Sequence, residues 1–216
     1  MQAIDKEVYR GCTIRVHHDD CPGNPREWGT NLSKIVMFHR NYCFPNDLDL
    51  CSDDYSNWDE VRDDILKENV AFINEIMMYD HSGIWISMSH RYPFNDRWDA
   101  GQVGFIFLLK RDIMKDYGVK RISKKTLHKA RRVMEAEFET YAAYVSGQVY
   151  GYTAEGPNGE DIDSCWGFYG DIDEAIEYAK GEINAWLEAK IEKRARYLKG
   201  VIRSRVPLIY RKPMAI

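Results

Sequence analysis

The sequence predicts an α+β fold: a mostly antiparallel sheet packed with two or three helices, including a long C-terminal one. Three observations carry that reading. Short apolar runs joined by turn-forming residues crowd the first half, the strands connect as hairpins rather than through crossover helices, and the longest helical periodicities come late. A chain of 216 residues can bury a sizeable core. One α+β domain over residues 1–206 is expected, followed by a short C-terminal tail at 207–216.

"VYRGCTIRVHH" has the β-branched content of an N-terminal strand, and the Asp-, Gly-, Pro- and Asn-rich "DDCPGNPREWGTN" makes a long loop before a second strand, "KIVMFH". Asn57 caps a helix, Glu60 completes its capping box, and Val61, Ile65 and Phe72 form its apolar stripe. Tyr79 to Met88 predicts a hairpin turning at Asp80, His81, Ser82 and Gly83. The apolar "QVGFIFLLK" is short enough for a buried central strand. A helical turn follows at "RDIMKDYG". Ser123 then caps a long helix whose Leu127, Ala130, Met134, Phe138, Tyr141 and Val145 recur at spacings of three and four. "QVYGYTAEGPNGEDIDSCWGF" predicts a hairpin around Asn158-Gly159. Asp171 and Glu174 open the last helix, which carries Ile176, Ala179, Ile183, Leu187, Ile191 and Leu198 before Pro207 stops it.

An aromatic share of 13% argues for an ordered protein, because such rings need burial or partners. No apolar run approaches the length of a membrane helix and the N-terminus has no signal-like core, so a cytoplasmic protein without membrane contact is expected. Five cysteines without a CxxC pair predict reduced, mostly structural thiols. Neither GxxxxGK[ST] nor GxGxxG occurs, and the sequence requires no cofactor. The net charge of -4 is unevenly spread: residues 47–80 are strongly acidic, whereas 110–132 and 190–212 are basic.

Asp80, His81, Asp99 and Gln102 interrupt strand-like runs, and His39 ends the second strand. A metal-dependent hydrolase needs carboxylates or imidazoles converging on one divalent cation with an open position for water. Asp19, Asp20, Glu27, His39, Asp80, His81 and Asp99 all fall at expected strand ends or turns and are candidates for that. Tight turns select the same residue types for backbone reasons. His17 and His18 point to opposite faces of a strand and do not chelate one ion together. Two basic faces stand apart from the apolar stripes: Lys125, Lys129 and Arg132 on one helix, and Lys193, Arg196, Lys199 and Arg203 on the last, extended by Arg211 and Lys212.

The motifs "NPREW", "YDHSG", "WDAGQVGFI", "KRISKK", "EFETY", "GQVYGY" and "DSCWGFYG" span Pro25 to about Gly170. On these the chain resembles a group of uncharacterised proteins carried by bacteriophages and integrated mobile elements of bacteria. The resemblance brings no catalytic residue with it. It implies an accessory gene product acting inside a bacterial host cell, where counter-defence proteins are common. Taken with the aromatic content, it leads to the expectation of a non-catalytic protein that binds a bacterial host protein or a signalling nucleotide. A metal-dependent hydrolase using the loop acids and histidines, and a nucleic-acid-binding protein using the basic helices, are the alternatives.

Overall fold

Arg10 and Gly11 both adopt left-handed backbone, with φ of 50° and 82°, and this tight turn divides the expected first strand in two. In the computed structural model, β1 (Asp5–Tyr9) and β2 (Cys12–His18) form a hairpin closed by Tyr9 opposite Cys12. They are followed by β3 (Lys34–Met37), α1 (Trp58–Lys67), β4 (Val70–Asp80), β5 (Ile84–Met88), β6 (Ala100–Leu109) and α2 (Lys110–Asp116). The chain continues through α3 (Lys124–Val145), β7 (Val149–Glu155), β8 (Asp161–Tyr169) and α4 (Ile172–Arg205). The structure describes residues 2–88, 99–205 and 207–210. Of the expected tail, 207–210 contains a 3-10 turn over Leu208–Tyr210, and the rest lies outside the described residues.

The predicted α+β class with mostly antiparallel strands holds, with two four-stranded sheets and four α-helices among the described residues rather than two or three helices. The chain forms two compact units, one from the residues through Asp19 together with those from Tyr150 onward, the other from Asp20 to Val149. In the first, the strand order is β1-β2-β7-β8. Cys12 and Ile14 of β2 and Tyr152 and Ala154 of β7 share a core with Ala175, Ala179 and Ile183 of α4. The β7–β8 turn uses Gly159 at φ 79°, whereas Asn158 contributes through its side chain and backbone N–H, both donating to Glu160. The turn is therefore a five-residue loop closed by Gly156 N–H on the Glu160 carbonyl at 2.7 Å, not a two-residue one.

In the second unit the order is β3-β6-β4-β5. The all-apolar run of β6 is explained by burial on both faces, since alternate side chains point opposite ways. Ile106 and Leu108 meet Ala130, Met134, Phe138 and Tyr141 of α3, while Phe105, Phe107 and Leu109 meet Val61 and Ile65 of α1. Phe72, expected on the helix, lies on β4 instead. Asn69 turns the chain left-handed at φ 59°, and from Val70 the β-branched and aromatic residues pair with β6. No helix among the described residues is long and apolar enough to cross a membrane. Of the five cysteines only Cys12 is buried, and Cys21, Cys43 and Cys51 are exposed. This corrects the expectation of mostly structural thiols.

Candidate functional site

Strands β4 and β6 pair from Val70 with Leu109 to Tyr79 with Ala100, with an irregularity between Ile76 and Met77. Ile76 faces Gly104 and Met77 faces Gln102, so Val103 is the extra residue of a bulge, a device that re-aims side chains. Beyond it a cavity of about 310 Å³ opens, and His39, Asp80, Asp99 and Gln102 all line it. Four of the five residues singled out from the sequence thus converge, although they come from the end of β3, the end of β4 and the start of β6. The Asp80 N–H donates to the Asp99 carbonyl at 2.9 Å, which fixes the two acids side by side. Arg40 also lines the cavity, over a floor of Met78, Gly101 and Val103.

Tyr42, which was not singled out from the sequence, braces two of the lining residues, Asp80 and His39. Its hydroxyl donates to both carboxylate oxygens of Asp80, at 3.1 and 3.2 Å, and its ring stacks on His39 with centroids 4.9 Å apart. That hydrogen bond, then burial and the Asp80 charge, raise the Tyr42 pKa above its ordinary value. Tyr42 therefore remains a protonated donor. His39 accepts the Asn41 N–H on Nδ1 at 3.2 Å.

His81, the fifth candidate, is not part of the lining. It sits in the β4–β5 turn beside Ser82 (φ 57°) and Gly83 (φ 152°), with Nδ1 3.3 Å from Asp99 Oδ2. Both side chains are well exposed. Among the described residues no group of three or more His, Cys, Asp or Glu side chains is placed to hold a metal ion. Glu27, another loop candidate, instead accepts from the Asn24 amide at 3.0 Å. The adjacent His17 and His18 divide as expected, one buried and one exposed. Trp98, in the motif before β6, lies outside the described residues.

The Pro- and Gly-rich loop before β3 is held by an ionic clamp. Arg26 donates to the Ser33 carbonyl at 2.7 Å and to Asp47 at 3.2 Å. Glu137 of α3 accepts the backbone N–H groups of Leu32 at 2.6 Å and Ser33 at 2.9 Å, as well as the Ser33 hydroxyl. In helical register Glu137 lies beside Met134 and Phe138, the core stripe, and that position was the available signal.

The predicted basic faces are exposed. Lys125, Lys129 and Arg132 of α3 stand free of the core and have no acidic partner among the described residues. Their neighbour Arg131 lies over the Phe72 ring at 3.9 Å. On α4, Lys193, Arg196, Lys199 and Arg203 are exposed, with Arg196 paired to Glu192 at 3.0 Å. Arg211 and Lys212 lie outside the described residues. Comparison of the chain with protein-family models, with curated proteins and with solved structures gives no match.

Proposed function

We propose that the protein is a non-catalytic binding protein of a phage or mobile element, and that it takes a signalling nucleotide of its bacterial host into the His39–Asp80–Asp99–Gln102 cavity. The observation that supports this is the convergence of those four residues with Arg40 on one polar cavity of about 310 Å³. The donor and acceptor set is mixed. Two carboxylates accept from the amino and imino edge of a base, the Gln102 amide reads either kind of edge, and Arg40 offers a planar fork suited to phosphate. The His39 ring, held by stacking on Tyr42, adds an aromatic group to the lining. Sequestering such a nucleotide would withhold it from host defence, in line with the resemblance to mobile-element proteins.

Calorimetric titration and thermal-shift measurements with a panel of mono-, di- and cyclic nucleotides test the reading. One nucleotide is expected to raise the melting temperature by mass action and to be recovered unchanged. Asp80→Asn and Asp99→Asn should each weaken its binding by about tenfold or more, as expected when a charged hydrogen-bond acceptor is lost. Recovery of a hydrolysed product, or a requirement for a divalent cation, would replace this reading with the hydrolase one. No binding across the panel would end it. Nucleic-acid binding is favoured by one separate observation, the exposed Lys125, Lys129 and Arg132 of α3, which have no acidic partner among the described residues.

A further inference from the structure

A second cavity in the Asp20–Val149 unit, of about 300 Å³, is walled by Phe38, Tyr55 and Trp58 over Val61. We propose that it is a recognition site for a quaternary ammonium group. The three rings arise from separate elements: Phe38 follows β3, Tyr55 follows the 3-10 turn at Ser52–Asp54, and Trp58 opens α1. Phe38 and Trp58 are nearly parallel, with centroids 5.9 Å apart and planes 15° apart. Phe105 backs Trp58 edge-on from the core at 6.0 Å, so the indole face is held in place rather than swinging in solvent. Tyr55 donates its hydroxyl to Asp64 at 2.8 Å, and that bond, with burial and nearby acids, pushes its pKa to about 12. A phenol donating to a carboxylate has a more electron-rich ring, which strengthens its attraction for a cation.

The charge around the cavity selects the occupant. Between Asp47 and Glu68 the chain carries nine carboxylates against Arg62 and Lys67. Asp53, Asp54, Asp59 and Asp63 have no cationic partner among the described residues. An anion is refused by that field. The N-terminus of α1 offers it no alternative, since the Asn57 side chain caps the Glu60 N–H and Glu60 accepts the Ser56 N–H. Yet among the described residues no carboxylate lines the cavity itself, whose remaining wall is the neutral Ser52, Ser56 and Asn57. A primary ammonium is strongly hydrated and needs a direct carboxylate to replace its water. A quaternary ammonium is weakly hydrated, cannot donate a hydrogen bond, and is stabilised by aromatic faces within an attractive long-range field. Aromatic walls with acids set back from them fit the second.

Choline, a trimethyllysine peptide, the same peptide with unmodified lysine, and 3,3-dimethylbutanol, the neutral carbon isostere of choline, serve as probes in NMR titrations of the full chain. Choline or the trimethyllysine peptide is expected to shift the Trp58 indole and Tyr55 ring signals, and whichever binds more tightly identifies the source of the group. The isostere and the unmodified peptide should bind at least about fivefold more weakly. Tyr55→Leu should abolish the response. Asp53→Asn with Asp54→Asn and Asp59→Asn, all at exposed positions, should weaken it severalfold without changing the fold seen by circular dichroism. Equal binding of choline and its isostere would make the cavity an ordinary apolar groove and overturn the proposal, as would equal binding of both peptides or no response to any probe. Asp80→Asn is expected to leave the titration unchanged, which separates this site from the polar cavity.

Discussion

At the residue scale, Glu137 satisfies two backbone N–H groups and a hydroxyl of the loop before β3. Removing it strands those donors, so Glu137→Ala is expected to cost about 2–4 kcal/mol in urea denaturation, whereas Glu139→Ala should stay within about 0.5 kcal/mol. A second residue prediction concerns pH. The Lys190 ammonium, donating at 2.7 Å, and the Asn158 N–H hold Glu160 well below its ordinary 4.5, at about 2. A carboxyl with a depressed folded-state pKa stabilises fully above its unfolded value. The contribution of this contact to the β7–β8 turn is therefore present above about pH 4.5 and lost as pH falls toward 2. NMR titration of the Glu160 carboxyl should show the low midpoint, and Lys190→Gln should return it toward 4.5. His39, Asp80, Asp99 and Gln102 were legible as residue types at strand ends. Tyr42 was not, because its role depends on a partner 38 positions away that only strand pairing brings near.

At the element scale, capping residues and helical spacing located α3 to the residue, with Ser123 accepting the Thr126 N–H. The same reasoning carried α1 too far, because a three- and four-residue spacing through Phe72 competes with strand pairing that depends on β6 from far along the chain. The apolar stripe of α4 keeps its period further along the helix than its burial. Ala175, Ala179 and Ile183 are covered, whereas Ile191 is 66% exposed, since a local pattern does not show where the facing sheet ends. Gly104 is legible only in three dimensions. A Cβ there would collide with the Val36 carbonyl and come within 2.8 Å of the Met37 Cα. Gly104→Ala is thus expected to separate β3 from β6 and to cost about 3 kcal/mol or more, as overpacking against backbone does, while Gly101→Ala, which meets open space, should be tolerated. The basic face of α3 gives an element-scale test of the nucleic-acid reading. If it contacts duplex DNA, replacing Lys125, Lys129 and Arg132 together by Gln should flatten the log-log salt slope by about 2 to 3 units. No binding at about 50 mM salt, a permissive condition, would leave the face as solvated surface.

For the whole molecule, the acidic and basic segments largely cancel in a net charge of -4, so bulk charge does not select a partner and recognition falls to local sites. The fold class was legible because hairpin signals and late helices are local features. The division into two sheets was not, since β2 pairs with β7 across more than a hundred residues and no local signal encodes that. In the proposed function the polar cavity between the ends of β4 and β6 binds a nucleotide without consuming it. Amide and side-chain NMR mapping with the nucleotide selected by titration tests it most directly. Shifts are expected to cluster at His39, Arg40, Asp80 and the Gln102 side-chain amide, to saturate with the nucleotide's own signals intact, and to disappear in Asp80→Asn. Shifts confined to the α3 or α4 basic faces, or signals of the nucleotide converting to product, would contradict it.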